Sequence, residues 1–132
     1  MSEAIKAAAL RLYDVYNTPN INLLDEIFTP NYIGHVNGTD ITDMTVSKSF
    51  VSGFMTAFPD AKYTVEDVMV LNSRVITRWT ATATHAGDFL GVPATNKKVT
   101  MNGITIFQIE NDKIAELWDN WDALGLMQQL NG

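Results

Sequence analysis

The sequence predicts an α+β domain, with helices gathered in the first sixty residues and long antiparallel strands after them. Three observations carry this. Apolar residues recur at helical spacing in three stretches before residue 60. Between residues 61 and 122, four segments rich in β-branched residues are joined in pairs by tight-turn dipeptides. A chain of 132 residues with 46% hydrophobic content has room for one packed core and no second, so residues 1–132 read as a single domain.

In the first helix Ile5, Ala8, Leu12 and Tyr16 fall at helical spacing. Ser2 is placed to cap its start, and Asn17-Thr18-Pro19-Asn20 ends it. A second helix over about residues 21–28 buries Leu23, Leu24, Ile27 and Phe28 before Pro30 stops it. Asn31 to Val36 reads as a short strand, and Asn37-Gly38 as a turn. The third helix repeats Val46, Phe50, Phe54 and Phe58 every four residues, capped by Thr42 or Asp43 and closed by Pro59-Asp60. Strands over Lys62–Leu71 and Ser73–His85 meet at Asn72-Ser73, and strands over Lys97–Glu110 and Lys113–Asp122 meet at Asn111-Asp112. The segment Gly87–Asn96, with Pro93, is a loop, and Leu124–Leu130 closes the chain with a helical turn or two. On the last strand Leu117 and Trp121 point to one face, and Ile114 and Trp118 to the other. One face meets the helices. The other needs a cover of its own, and a second copy of the chain is the economical one, so a homodimer through the outer sheet face is expected.

Composition removes several classes of function. With no cysteine, disulfides, thiolate nucleophiles, iron–sulfur clusters and cysteine-bound zinc are excluded. A formal charge of −6 repels phosphate backbones and anionic membranes, so neither nucleic acid nor a membrane is an expected partner. The apolar runs are far too short to span a bilayer, and Met1-Ser2-Glu3-Ala4-Ile5-Lys6 lacks a secretory pattern, which points to the cytoplasm. Two histidines fifty residues apart make no metal site, and no phosphate-binding glycine motif or nucleophile elbow occurs.

Three stretches together are distinctive. Ala57-Phe58-Pro59-Asp60 follows a helix; Thr84-His85-Ala86-Gly87-Asp88-Phe89-Leu90-Gly91-Val92-Pro93-Ala94-Thr95 joins two strands; and Lys113-Ile114-Ala115-Glu116-Leu117-Trp118-Asp119 runs on to Asp122 and Leu126-Met127-Gln128-Gln129-Leu130. They resemble the SnoaL-like polyketide cyclases, a branch of the nuclear transport factor 2-like superfamily, over roughly residues 5–131. The resemblance implies a cone-shaped, strongly curved antiparallel sheet wrapped around three N-terminal helices, with a ligand cavity at its open end. It also implies acid/base chemistry on a hydrophobic carbonyl compound without metal or other cofactor.

Asp119 is the first candidate for chemistry. It shares a face with Leu117 and Trp121, and a carboxylate on an apolar face is desolvated and becomes a proton acceptor near neutral pH. The other reading is a solvated carboxylate at a strand end. The resemblance implies that Asp119 is the acid/base aspartate. The cyclases resembled carry a histidine fourteen residues earlier, where this chain has Thr105, able to hydrogen-bond a substrate oxygen but not to share a proton as imidazole does. His35 stands where the ketosteroid isomerase-like branch keeps its general base, and is the second catalytic candidate. His85 either contacts substrate or holds its own loop. Tyr16, Phe54, Leu117 and Trp121 are expected to line the substrate site; Tyr13 and Tyr32 are further phenol donors or plain core residues. Asp122 reads as the cap of the last helix. Arg78, in Val75-Ile76-Thr77-Arg78-Trp79, calls for a sheet carboxylate; with Thr80 two positions on, the Arg–Asp arrangement of this fold's epoxide hydrolases is disfavoured. Two functions remain open: an acid/base enzyme closing a ring by aldol addition, or a non-catalytic pocket that binds or carries an apolar ligand.

Overall fold

A computed structural model describes residues 2–18 and 20–132. The side chain of Ser2, expected as a cap, and Pro19 lie outside the described residues. The order of elements is α1 (Ser2–Asn17), a 3-10 turn at Ile21–Leu23, α2 (Leu24–Ile27), β1 (Phe28–Val36), β2 (Thr39–Ile41), α3 (Met44–Ala57), β3 (Lys62–Leu71), β4 (Arg74–Thr84), β5 (Lys98–Glu110), β6 (Lys113–Trp121) and α4 (Ala123–Asn131). The six strands form one curved, unclosed sheet in the order β2-β1-β6-β5-β4-β3.

The expected meander is present. Asn72 (φ 55°) turns β3 into β4, and Asn111 and Asp112 (φ 52° and 61°) turn β5 into β6, left-handed conformations that asparagine and aspartate tolerate. On β5, buried Val99, Met101, Thr105, Phe107 and Ile109 alternate with outward residues, so one face of the sheet carries the core. The helix α1 lies across that face and buries Ala8, Ala9, Leu12, Tyr13 and Val15. Asp43 caps α3, accepting from Thr45 N at 2.7 Å, and Asp122 caps α4, accepting from Gly125 N at 2.8 Å. Arg78 pairs with Asp67 at 2.6 Å, both half exposed.

Four expectations need correction. The sheet is not wholly antiparallel, because β1 runs parallel to β6. Hairpins impose antiparallel pairing only on consecutive strands, and β1 reaches β6 from the far end of the chain. The second helix is shorter than expected: it ends at Ile27, and the strand begins at Phe28 and runs through Pro30. The β1–β6 register breaks between Phe28 and Ile33, where a proline without an N–H cannot keep a ladder. Ile114 points inward, fully buried, because the register slips between Gln108 and Ile109 and leaves Ala115 as an extra residue in β6. Finally, only the C-terminal half of the α3 stripe is covered, with Phe58 buried and Phe54 partly so. Val46 and Phe50 are 44% and 55% exposed, and its buried residues are Ser47 and Ala57. The helix covers the open side of a cavity and is not pressed flat onto the sheet.

Candidate active site

Between the inner face of the sheet, α1 and α3 lies a cavity of ≈ 540 Å³ with a predominantly apolar lining. Six of the eight expected site residues line it: Tyr16, Phe54, Thr105, Leu117, Asp119 and Trp121. Leu117, Asp119 and Trp121 project together because they alternate along β6 after its bulge. The β1–β2 turn fixes this stretch of backbone. Asn37 N donates to Asp119 O at 2.9 Å, and Asn37 Oδ1 accepts from Trp121 N at 2.9 Å.

Asp119 sits in a polar relay. Trp79 Nε1 donates to Thr105 Oγ1 at 3.0 Å, and Thr105 Oγ1 donates to Asp119 Oδ1 at 3.0 Å. An indole nitrogen only donates, so the threonine hydroxyl must accept there and direct its own proton at the carboxylate. Thr105 therefore faces the cavity with its hydroxyl already committed. Its proton holds Asp119 Oδ1, and its oxygen stays on the cavity wall. Among the described residues no hydrogen bond reaches Asp119 Oδ2, which is left to the cavity. Burial pushes the Asp119 carboxyl up to about 6, against the opposing pull of the Thr105 hydrogen bond. Near neutral pH the group is ionised but lies close to its own titration range.

The two histidines lie elsewhere. His35 is on the outer face of the sheet: its Nδ1 meets Asp40 Oδ1 at 2.6 Å, its Nε2 meets Glu116 Oε2 at 2.7 Å, and its ring stacks on Trp118 at 5.5 Å. Hydrogen bonds to Glu116 and Asp40 raise its pKa and favour the imidazolium. The structure does not bring it to the cavity, because Tyr32 and Gly34 take the inward positions of β1 and leave Ile33 and His35 outward.

His85 is fully buried beside the cavity and does not line it. Its Nδ1 accepts from Thr95 Oγ1 at 2.9 Å and from Thr95 N at 3.2 Å, which places the proton on Nε2. The ring packs against Phe58, tilted by 32° with the centroids 5.4 Å apart. His85 thus pins the two ends of the loop between β4 and β5, and the loop presents Phe89 and Leu90 to the cavity. Gly87 belongs to the same device. A Cβ there would stand 2.6 Å from Thr56 O, so only glycine lets the loop approach the end of α3.

Sequence reasoning missed Trp79 and Tyr63, both cavity residues. Alternation was the available signal, since Tyr63 shares the inward positions of β3 with Val65, and Trp79 those of β4 with Thr77 and Ala81. Among the described residues no cluster of His, Asp and Glu is arranged to hold a metal ion. Among the described residues no helix is long and apolar enough to cross a membrane.

The fold is shared with solved structures. AclR from Streptomyces galilaeus, assigned as a hydroxylase, superposes with a TM-score of 0.91 at 24% identity, over 99% of this chain and 83% of that one. At that identity the likeness speaks for the fold alone. TsrD from Streptomyces laurentii matches with a TM-score of 0.87 at 25% identity, covering 98% of this chain and 96% of its own. A protein from Acidithiobacillus ferrooxidans, assigned as a polyketide cyclase, matches with a TM-score of 0.86 at 28% identity, over 99% and 96% of the two chains. No curated protein matches the sequence. The profile of one family does, over residues 6–130, and it takes in every residue of the cavity just described. The chain belongs to the SnoaL-like polyketide cyclase family.

Proposed function

We propose that the protein is an acid/base enzyme of the cyclase type, acting on a hydrophobic compound that carries an enolisable carbonyl. Asp119 Oδ2 takes the proton alpha to the carbonyl. The electron pair of that C–H bond becomes an enolate, which adds to a second carbonyl of the same molecule and forms the new C–C bond. The alkoxide then recovers the proton from Asp119, so the reaction is an isomerisation with no net loss of atoms. The step needs a base and hydrogen-bond donors and no further cofactor. The observation that carries this reading is one desolvated carboxylate in an apolar cavity, one oxygen held by the Trp79–Thr105 relay and the other unengaged.

The second reading, a carrier of apolar ligands, is favoured by Thr105 standing where the cyclases have a histidine. Solvent deuterium exchange at the alpha carbon of β-keto ester probes, with binding followed in the same samples, separates the two. The enzyme reading expects exchange that depends on Asp119; tight binding without exchange is the carrier's signature.

The outer face of the sheet supports a homodimer. Ile104, Met69 and Leu71 are 51%, 57% and 65% exposed there, and the same face carries Trp118 with Arg74 over its ring at 5.0 Å. A second copy would cover this patch about a twofold axis. Sedimentation at micromolar concentration is expected to give twice the monomer mass, and Ile104→Glu to give monomer; monomer alone for the unaltered protein contradicts the arrangement. The acidic, cysteine-free chain is read as working in the cytoplasm.

A further inference from the structure

Four tyrosines line the cavity, and two are already engaged. Tyr13 hydrogen-bonds Thr77 Oγ1 at 2.7 Å, and Tyr32 hydrogen-bonds Ser47 Oγ. Tyr16 and Tyr63 differ. Their rings pack against each other at 4.8 Å with 34° between the planes, one from α1 and one from β3. The backbone beneath them is clamped, since Asn17 Nδ2 donates to Tyr63 O at 3.0 Å and Asn17 Oδ1 accepts from Tyr63 N at 2.7 Å. Neither phenol hydroxyl has a hydrogen-bond partner among the described residues. Neither is sealed in the protein either: among the described residues the fully buried, unpartnered side-chain polar atom is His85 Nε2. Two O–H donors on clamped backbone therefore open on the cavity unused.

Their electrostatic setting is informative. Burial is the main reason both phenols stay protonated to high pH, and the negative charge of Asp119 adds to the effect in each. Both hydroxyls thus lie within the field of the carboxylate. When Asp119 takes a proton that field disappears, and the negative charge moves onto the substrate oxygen. Tyr16 and Tyr63 line the same cavity as Asp119, and two neutral donors there suit that new charge better than the old one.

We infer that Tyr16 and Tyr63 form the oxyanion site, their hydroxyls donating to the carbonyl oxygen of the substrate as it becomes an enolate oxygen. The inference rests on Asp119 as the base, and it narrows the substrate to a ketone or β-keto ester whose enolising carbonyl reaches the wall between α1 and β3. The phenols keep their protons throughout. The electron pair of the broken C–H bond is delocalised onto the oxygen and returns to carbon when the ring closes.

The test uses Tyr16→Phe and Tyr63→Phe, which keep the rings and the packing, with fold checked by circular dichroism. Each is expected to lower kcat for β-keto ester exchange about 10²-fold with KM little changed, the usual effect of deleting one oxyanion donor. A second arm measures binding of 2-naphthol, whose ionised form mimics a planar enolate and is followed by its absorbance, to Asp119→Asn protein. Asparagine there stands for the protonated aspartate. Adding either tyrosine substitution is expected to weaken naphtholate binding about tenfold or more. Naphtholate affinity independent of both hydroxyls overturns the inference, whatever the exchange data show. Exchange that needs Asp119 and ignores both phenols overturns it too, and leaves the base standing. Exchange indifferent to Asp119, with naphtholate binding still dependent on the phenols, removes the base and keeps the anion site.

Discussion

Asp119→Asn is expected to slow alpha-proton exchange by about 10³-fold while making the protein more stable at pH 7. The two effects share one cause. Burial favours the uncharged acid, so the native carboxyl titrates at about 6, whereas in the unfolded chain it titrates near 3.9. Below pH 4 both states hold the proton and the site costs the fold nothing. As pH rises from 4 to 6 the unfolded chain releases its proton first, and native stability falls. Above 6 the loss is complete, about 3 kcal/mol by linkage. Asparagine removes that loss, and its amide oxygen can still accept from Thr105. Denaturant titrations of the two proteins should therefore diverge at pH 7 and converge near pH 4. A variant that is inactive because it is misfolded would be less stable at both. Retention of full activity would remove Asp119 from the mechanism.

Thr105→Val is the second large effect. Valine matches threonine in shape but leaves Asp119 Oδ1 without its donor and Trp79 Nε1 without its acceptor. Two buried polar groups then lack partners, so stability should fall by about 1–3 kcal/mol. The hydrogen bond from Thr105 is what pulls the Asp119 pKa down against burial. Its loss raises that pKa further, and the pH profile of kcat/KM for exchange should move to higher pH, with activity at pH 6 several-fold lower. A profile that stays in place while stability falls would leave Thr105 with packing alone.

Much of this arrangement can be read in the residues, and the part that cannot has identifiable causes. Local signals carried the helices and the meander: asparagine turns at Asn72 and Asn111, strict alternation along β5, and aspartate caps at Asp43 and Asp122. Asp119 stands out as a carboxylate that shares its face of the last strand with Leu117 and Trp121. Features set by register were hidden. The extra residue at Ala115 has no sequence mark, yet it turns Ile114 from the outer face to the core. Pairing of β1 with β6 joins distant parts of the chain, and the outward position of His35 follows from the side taken by Tyr32. The commitment of Thr105 depends on cross-strand geometry. Trp79 pairs with Gly103, where a Cβ would stand 2.5 Å from Trp79 Cζ2, so glycine makes room for the indole to reach Thr105 two residues on. The loop motif is legible as a unit, but the place of His85 beside the cavity, bonded to Thr95, is set by the folded loop.

If Asp119 is the desolvated base proposed above, its own titration will show it. With ¹³C-labelled aspartate, the carboxyl resonance of Asp119 can be assigned by its loss in Asp119→Asn and followed with pH in the ligand-free protein. The account predicts a midpoint near 6. A midpoint close to 4, the ordinary aspartate value, would mean a solvated carboxylate and would contradict it.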